Sequence, residues 1–130
     1  MTYQEFINKH SIKTSFRETS CNPYIMDDDF KGRHYNSSIT YMDQSAVFPF
    51  SVGAAIDNPQ TTCLLECLKW DCGSVQNTED FEDWADQVGF DPDSRKAEKI
   101  YNECKKQMGI LQRLLGESVF NELMECEDDD

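Results

Sequence analysis

Residues 78–101 read TEDFEDWADQVGFDPDSRKAEKIY, and the fold class turns on them. Phe81, Trp84, Ala85 and Val88 recur at the 3.6-residue period, so the first half predicts an amphipathic helix capped by Thr78 and ended by Gly89. Asp91-Pro92 then reads as an N-cap with a first-turn proline, a position where the missing N–H costs little. Beyond it, Ala97, Ile100, Tyr101, Cys104, Met108, Leu111, Leu114 and Leu115 trace one apolar stripe, and Gly116 supplies the stop. The second half of the chain is therefore expected to be helical.

Working outward, Ser118 can cap a last short helix that turns Val119, Phe120, Leu123 and Met124 inward. Upstream, Asn58-Pro59-Gln60-Thr61 can start a helix carrying Cys63, Leu64, Cys67 and Leu68 and stopping near Gly73. Before Gly53 the period changes from helical to two. Ile12, Thr14 and Phe16 alternate with polar residues, as do Tyr35, Ser37, Ile39 and Tyr41, and then Ala46, Phe48, Phe50 and Val52. The last two strands read as a hairpin turning at Asp43-Gln44, and Pro49 sends the third strand to a sheet edge because it cannot donate to a ladder. Residues 2–10 read as a short helix with Tyr3, Phe6 and Ile7 on one face, and 21–32 as a polar loop. The expected architecture is α+β: a small antiparallel sheet of about three strands packed against a C-terminal cluster of about four helices. Residues 1–126 are expected to form one domain, with a disordered acidic tail at 127–130.

The charge is large and uneven. The chain carries 25 acidic against 12 basic side chains, a formal net charge of -13, with a mean hydropathy of -0.67. Such a surface repels nucleic acid and anionic membranes and favours a basic partner. Between Glu66 and Asp93 nine acids face a single base, Lys69, whereas the segment from Ser94 to Gly116 carries six bases (Arg95, Lys96, Lys99, Lys105, Lys106, Arg113) against two acids. The apolar stripe of the helix after Thr78 directs Glu79, Glu82, Asp83 and Asp86 outward together, and Asp91 and Asp93 follow. Side chains three or four apart on a helix lie roughly 5–6 Å from each other, comparable to successive phosphates on a strand. These six acids are the candidate partner-binding residues. The competing reading is a solvated face that serves solubility alone, and the basic face at 94–115 is either internal neutralisation or a second contact surface.

Catalysis and metal binding find little support in the sequence. Two histidines, His10 and His34, give no local nucleophile signature with any cysteine, and neither a phosphate loop nor a nucleophile elbow is present. Cys63, Cys67 and Cys72 lack the paired spacing of zinc modules. Asp27, Asp29 and Gly32 imitate a calcium loop, but Lys31 and Ser38 stand where oxygen ligands are required. No enzymatic role, cofactor or metal is expected. The first residues show no signal-peptide pattern, so the six cysteines are expected to remain reduced thiols in the cytosol of a bacterial host.

Several words of the sequence resemble a family of small phage and prophage proteins of unassigned role: Thr2-Tyr3-Gln4-Glu5-Phe6, Phe50-Ser51-Val52-Gly53, Phe81-Glu82-Asp83-Trp84-Ala85, the run from Asp91 to Tyr101, and Leu114-Leu115-Gly116. The hairpin and its flanks depart from that pattern in being poorer in basic residues. By analogy with small acidic phage proteins, the resemblance implies a counter-defence factor, an anti-CRISPR or anti-restriction inhibitor that imitates DNA. The alternative is a phage adaptor or scaffold that binds a replication or regulatory partner through an apolar and aromatic surface near Trp70 and Trp84.

Overall fold

Thr2 opens the chain with a reciprocal cap, its hydroxyl oxygen accepting from the Glu5 N–H while the Glu5 carboxylate accepts from the Thr2 N–H. The structure, a computed structural model, describes residues 1–19, 34–48 and 60–127. In it the capped turn leads helix α1 (Tyr3–His10), which ends at Ser11 in the left-handed region, φ 52°. Tyr3 and Phe6 face inward, as their spacing requires.

Strands β1 (Lys13–Thr19), β2 (His34–Tyr41) and β3 (Gln44–Phe48) form an antiparallel sheet in that order, which among the described residues leaves β3 at an edge. The register pairs Thr14 with Ile39, Phe16 with Ser37 and Ser37 with Phe48, bringing the alternating inward set onto one face. The other face is polar, with Ser15 and Ser38 hydroxyls 2.6 Å apart and Thr40 and Ser45 2.7 Å apart. The hairpin turns one residue earlier than its sequence suggests. Tyr41 pairs with Gln44, so the loop is Met42-Asp43, both at positive φ (49° and 65°). Two such residues match the right-handed twist of the flanking strands, and Asp tolerates that conformation better than most. The proposed strand positions Phe50 and Val52, together with Pro49 and the 21–32 loop, lie outside the described residues.

The helices are α2 (Thr61–Gln76), α3 (Phe81–Val88) and α4 (Arg95–Met124). With α1 they bear out the α+β reading, and three of its boundaries shift. Helix α2 does not stop at Gly73 but continues to Gln76, because Val75 beyond it is buried against Trp84 and its neighbours; burial of this kind outweighs the weak helix propensity of one glycine. The cap of α3 is Asp80, whose carboxylate accepts from the Asp83 N–H at 2.9 Å; the Thr78 hydroxyl instead donates back to the Ser74 and Val75 carbonyls at the end of α2. The cap of α4 is Ser94, because Asp91 is engaged in its own turn, accepting from the Asp93 N–H at 2.9 Å. Gly116 keeps its role as an interruption: at φ 80° and ψ 163° it kinks α4, and helix resumes beyond it.

Among the described residues the apolar side chains gather in two clusters. The larger joins the sheet, α1, α2 and the end of α4 through Phe6, Ile39, Phe48, Leu64, Leu65, Leu111 and Leu123. The smaller surrounds Trp84 with Val75, Ala85, Ala97, Ile100 and Cys104. The chain ends meet: the Glu127 N–H donates to the Met1 carbonyl at 2.9 Å, and Thr2 and Glu127 form a parallel bridge. Glu127, assigned from sequence to a loose tail, is therefore tied to the fold by its backbone; residues 128–130 lie outside the described residues.

Candidate functional site

Trp84 sets the direction of α3. Its indole is fully buried, stacks on Phe90 at 5.6 Å between centroids, meets Tyr101 at 5.3 Å, and donates from Nε1 to the Ser74 hydroxyl at 3.0 Å. With that face fixed inward, Glu82 and Asp86 fall on the opposite face and are exposed, one turn apart. Glu79 ahead of the helix is exposed, and so are Asp91 and Asp93 in the turn after it.

Asp83 behaves differently. It is half-buried, and its carboxylate folds back to the start of the helix, accepting from the Glu79 N–H at 3.1 Å and from the Gln87 amide at 3.4 Å. Its first duty is structural: a carboxylate at a helix N-terminus meets unpaired N–H groups and the positive end of the dipole. Of the six acids singled out from sequence, Glu79, Glu82, Asp86, Asp91 and Asp93 are thus exposed on or beside α3, and Asp83 is half-buried at its start.

Lys69, the one base among residues 66–93, donates its ammonium to the Cys126 carbonyl and lies 5.9 Å from the centroid of the Tyr3 ring. The six bases of α4 are exposed. Glu122 pairs with Lys9 at 2.5 Å and with His10 at 3.0 Å, and Lys9 is the main reason that the Glu122 carboxyl lies below its usual range. His10 is thereby engaged with a carboxylate and the rings of Phe6 and Tyr41.

A groove of about 800 Å³ lies beside α2, lined by Glu66, Lys69 and Trp70 of that helix and by Tyr3, Val88 and Met124. Trp70 stands on its edge, 59% exposed, with Glu66 one turn before it. The two tryptophans that the sequence groups as one aromatic surface therefore separate: Trp84 is core, and Trp70 alone reaches solvent.

Between α2 and α4 lies a polar cluster that apolar periodicity conceals. Asp71, Glu103 and Gln107 are buried there, at 7%, 6% and 0% exposure. Burial pushes the Asp71 carboxyl up to about 7, against which the hydrogen bond from the Cys104 thiol works in the opposite direction. The thiols nearby are pushed up as well, chiefly by burial: Cys67 to about 11, Cys72 to about 12, and Cys104 further still. Such thiols hold their protons at neutral pH and are poor nucleophiles. Glu103 Oε1 and both Gln107 amide atoms have no hydrogen-bond partner among the described residues. The signal was available: Gln107 sits three residues after Cys104 and four before Leu111, squarely on the stripe. Among the described residues no group of three or more His, Cys, Asp or Glu side chains is arranged to hold a metal ion, and no helix is long and apolar enough to cross a membrane.

No protein-family model, curated protein or solved structure matches the chain.

Proposed function

We propose that this chain is a non-enzymatic binding protein that inhibits a DNA-targeting complex by offering its acidic ridge to a groove that otherwise holds DNA. The observation that carries this reading is that Glu79, Glu82, Asp86, Asp91 and Asp93 are all exposed on or beside α3, the helix whose inward face the buried Trp84 sets. A ridge of fixed carboxylates resembles a phosphate backbone in charge and spacing, and a cationic groove gains the same favourable field from either. Trp84 supplies the rigidity. Its buried ring fixes the rotation of α3, so the carboxylates are pre-oriented before any partner arrives. Resemblance to phage and prophage proteins supports a bacterial defence complex of the anti-CRISPR or anti-restriction type as target, met in the host cytosol. The net charge of -13 argues against the chain binding nucleic acid itself.

The test is capture of partners by the tagged full chain from bacterial lysate, followed by elution with duplex DNA. The reading expects a DNA-binding partner released by DNA and by salt. A partner indifferent to both overturns it, and one retained after the ridge is neutralised moves the contact to the groove beside Trp70.

A further inference from the structure

Arg95, Lys99, Asn102, Lys106, Gly109 and Arg113 recur along α4 at intervals of four, three, four, three and four, the spacing that keeps side chains on one face of a helix. The opposite face, with Ala97, Cys104 and Leu111, is buried, so this row points to solvent and its side chains are exposed. At ~1.5 Å per residue it runs for about 27 Å. No acid lies in it. Glu98 on its flank is followed seven residues later by Lys105 on the same flank, Glu103 is buried, and Glu117 and Glu122 come after the kink at Gly116. Among the described residues none of the row's four cations pairs with a carboxylate. Gly109 has no duty inside the molecule either: an added Cβ there meets nothing within 4 Å, although glycine weakens a helix interior. It lowers the surface between Lys106 and Arg113, where an approaching helix gains from the space.

We propose that this row is the docking surface for the acidic face of α3 in a second copy of the chain, so that the protein pairs with itself through charge. Complementarity selects the occupant. Glu79, Glu82 and Asp86 are exposed at intervals of three and four, the pitch of the row itself, and Asp91 and Asp93 extend them. Nucleic acid offers phosphates to the row and nothing to the acids beside it, whereas a second copy offers acids to the row and its own row to the acids. The two faces belong to elements in direct contact, the Phe81 ring of α3 lying 5.5 Å from the Tyr101 ring of α4. A twofold arrangement can therefore exchange both contacts at once and close the pair as a dimer. The net charge of -13 opposes any such approach, but at about 0.1 M salt that repulsion is screened beyond ~10 Å, while the paired side chains meet well inside this distance. Pairing covers the acids that the proposed function offers to a DNA-binding groove, so groove and second copy compete for them.

Sedimentation velocity of the purified full chain, up to about 1 mM in about 0.1 M salt, tests the pairing. The expected result is a concentration-dependent dimer that dissociates in about 1 M salt, where the screening length falls to ~3 Å. Two double variants, Lys99→Glu with Lys106→Glu and Glu82→Lys with Asp86→Lys, change exposed positions only, and each should weaken pairing at least about tenfold. An equimolar mixture of the two should pair again, since reversed row then meets reversed acidic face and the intact faces meet as before. The second variant also brings the chain closer to neutrality, so general repulsion alone predicts stronger pairing for it, the opposite outcome. A parent that stays monomeric throughout would overturn the inference, as would a dimer that survives either variant or high salt, or a mixture that stays monomeric. A short DNA duplex that binds the parent and is lost on Lys99→Glu with Lys106→Glu would overturn it too, assigning the row to nucleic acid. No lysate or DNA-binding partner enters the sedimentation measurement, so its failure is distinct from failure of the DNA-competed capture.

Discussion

Burial between α2 and α4 holds the Asp71 carboxyl near 7 instead of the ordinary 3.8, with the Cys104 thiol donating to it and Cys72 and Glu103 close by. Because the folded pKa lies above the unfolded one, the folded state favours the protonated acid. The stabilisation is complete below about pH 4, declines as pH rises through 7, and is absent above it. A shift of this size corresponds to a few kcal/mol at most, each pKa unit being about 1.4 kcal/mol. Asp71→Asn keeps the shape and removes the charge, so we expect the variant to be more stable than the parent at pH 8, by about 1–3 kcal/mol, and close to it at pH 4. Urea unfolding at the two values checks this, and an identical pH profile for both proteins would refute it. Comparing variant with parent also cancels the general repulsion that a chain of charge -13 acquires as pH rises. Sequence reading missed Asp71 because it took Cys63, Leu64, Cys67 and Leu68 as the inner face of α2. The buried set is Leu64, Leu65, Leu68, Asp71, Cys72 and Val75, a stripe that turns further round the helix.

At the scale of elements, caps and glycines decide where helices begin and bend. Asp80 holds α3 at its first turn, so Asp80→Ala should cost about 1 kcal/mol of stability, read as a lower urea midpoint. Thr78→Ala should cost less at the start of α3, since its hydroxyl serves the end of α2; the opposite order would restore Thr78 as the cap. Gly116→Ala forces a side chain into φ 80°, and although nothing lies within 4 Å of the added Cβ, we expect a loss of about 1 kcal/mol from backbone strain alone. The elements themselves were legible: a period of two gave the sheet strands, and a period of 3.6 gave all the helices. What stayed hidden was competition among caps. Thr78 and Asp80, or Asp91 and Ser94, are equally good N-caps by composition, and only the neighbouring turns decide between them. The six candidate acids were legible as a charge cluster, yet Asp83 could not be told from the others. Its fold back to the Glu79 N–H depends on Asp80 being the cap.

Across the described residues charge is unevenly placed. Five exposed acids lie on or beside α3, six exposed bases lie along α4 with Glu98, Glu103, Glu117 and Glu122 among them, and a buried tryptophan sets which face α3 turns outward. Like charges so placed cost stability in isolation, so Glu82→Gln and Asp86→Asn should leave stability within about 0.5 kcal/mol or raise it slightly. Their effect should appear in association instead. Partner affinity should fall steeply as ionic strength rises, since screening shortens the reach of exposed charges to about 8 Å at physiological salt.

The decisive measurement compares the parent with a variant carrying Glu79→Gln, Glu82→Gln, Asp86→Asn, Asp91→Asn and Asp93→Asn in DNA-competed capture from bacterial lysate. Asn at position 91 retains an oxygen for the Asp93 N–H, so the turn into α4 survives the change. The account predicts that the parent retains a DNA-binding partner which duplex DNA displaces, and that the variant, equally folded, retains at most a tenth or so of it, as losing about 1.4 kcal/mol of binding would give. Equal recovery of the same partner by both proteins would contradict it.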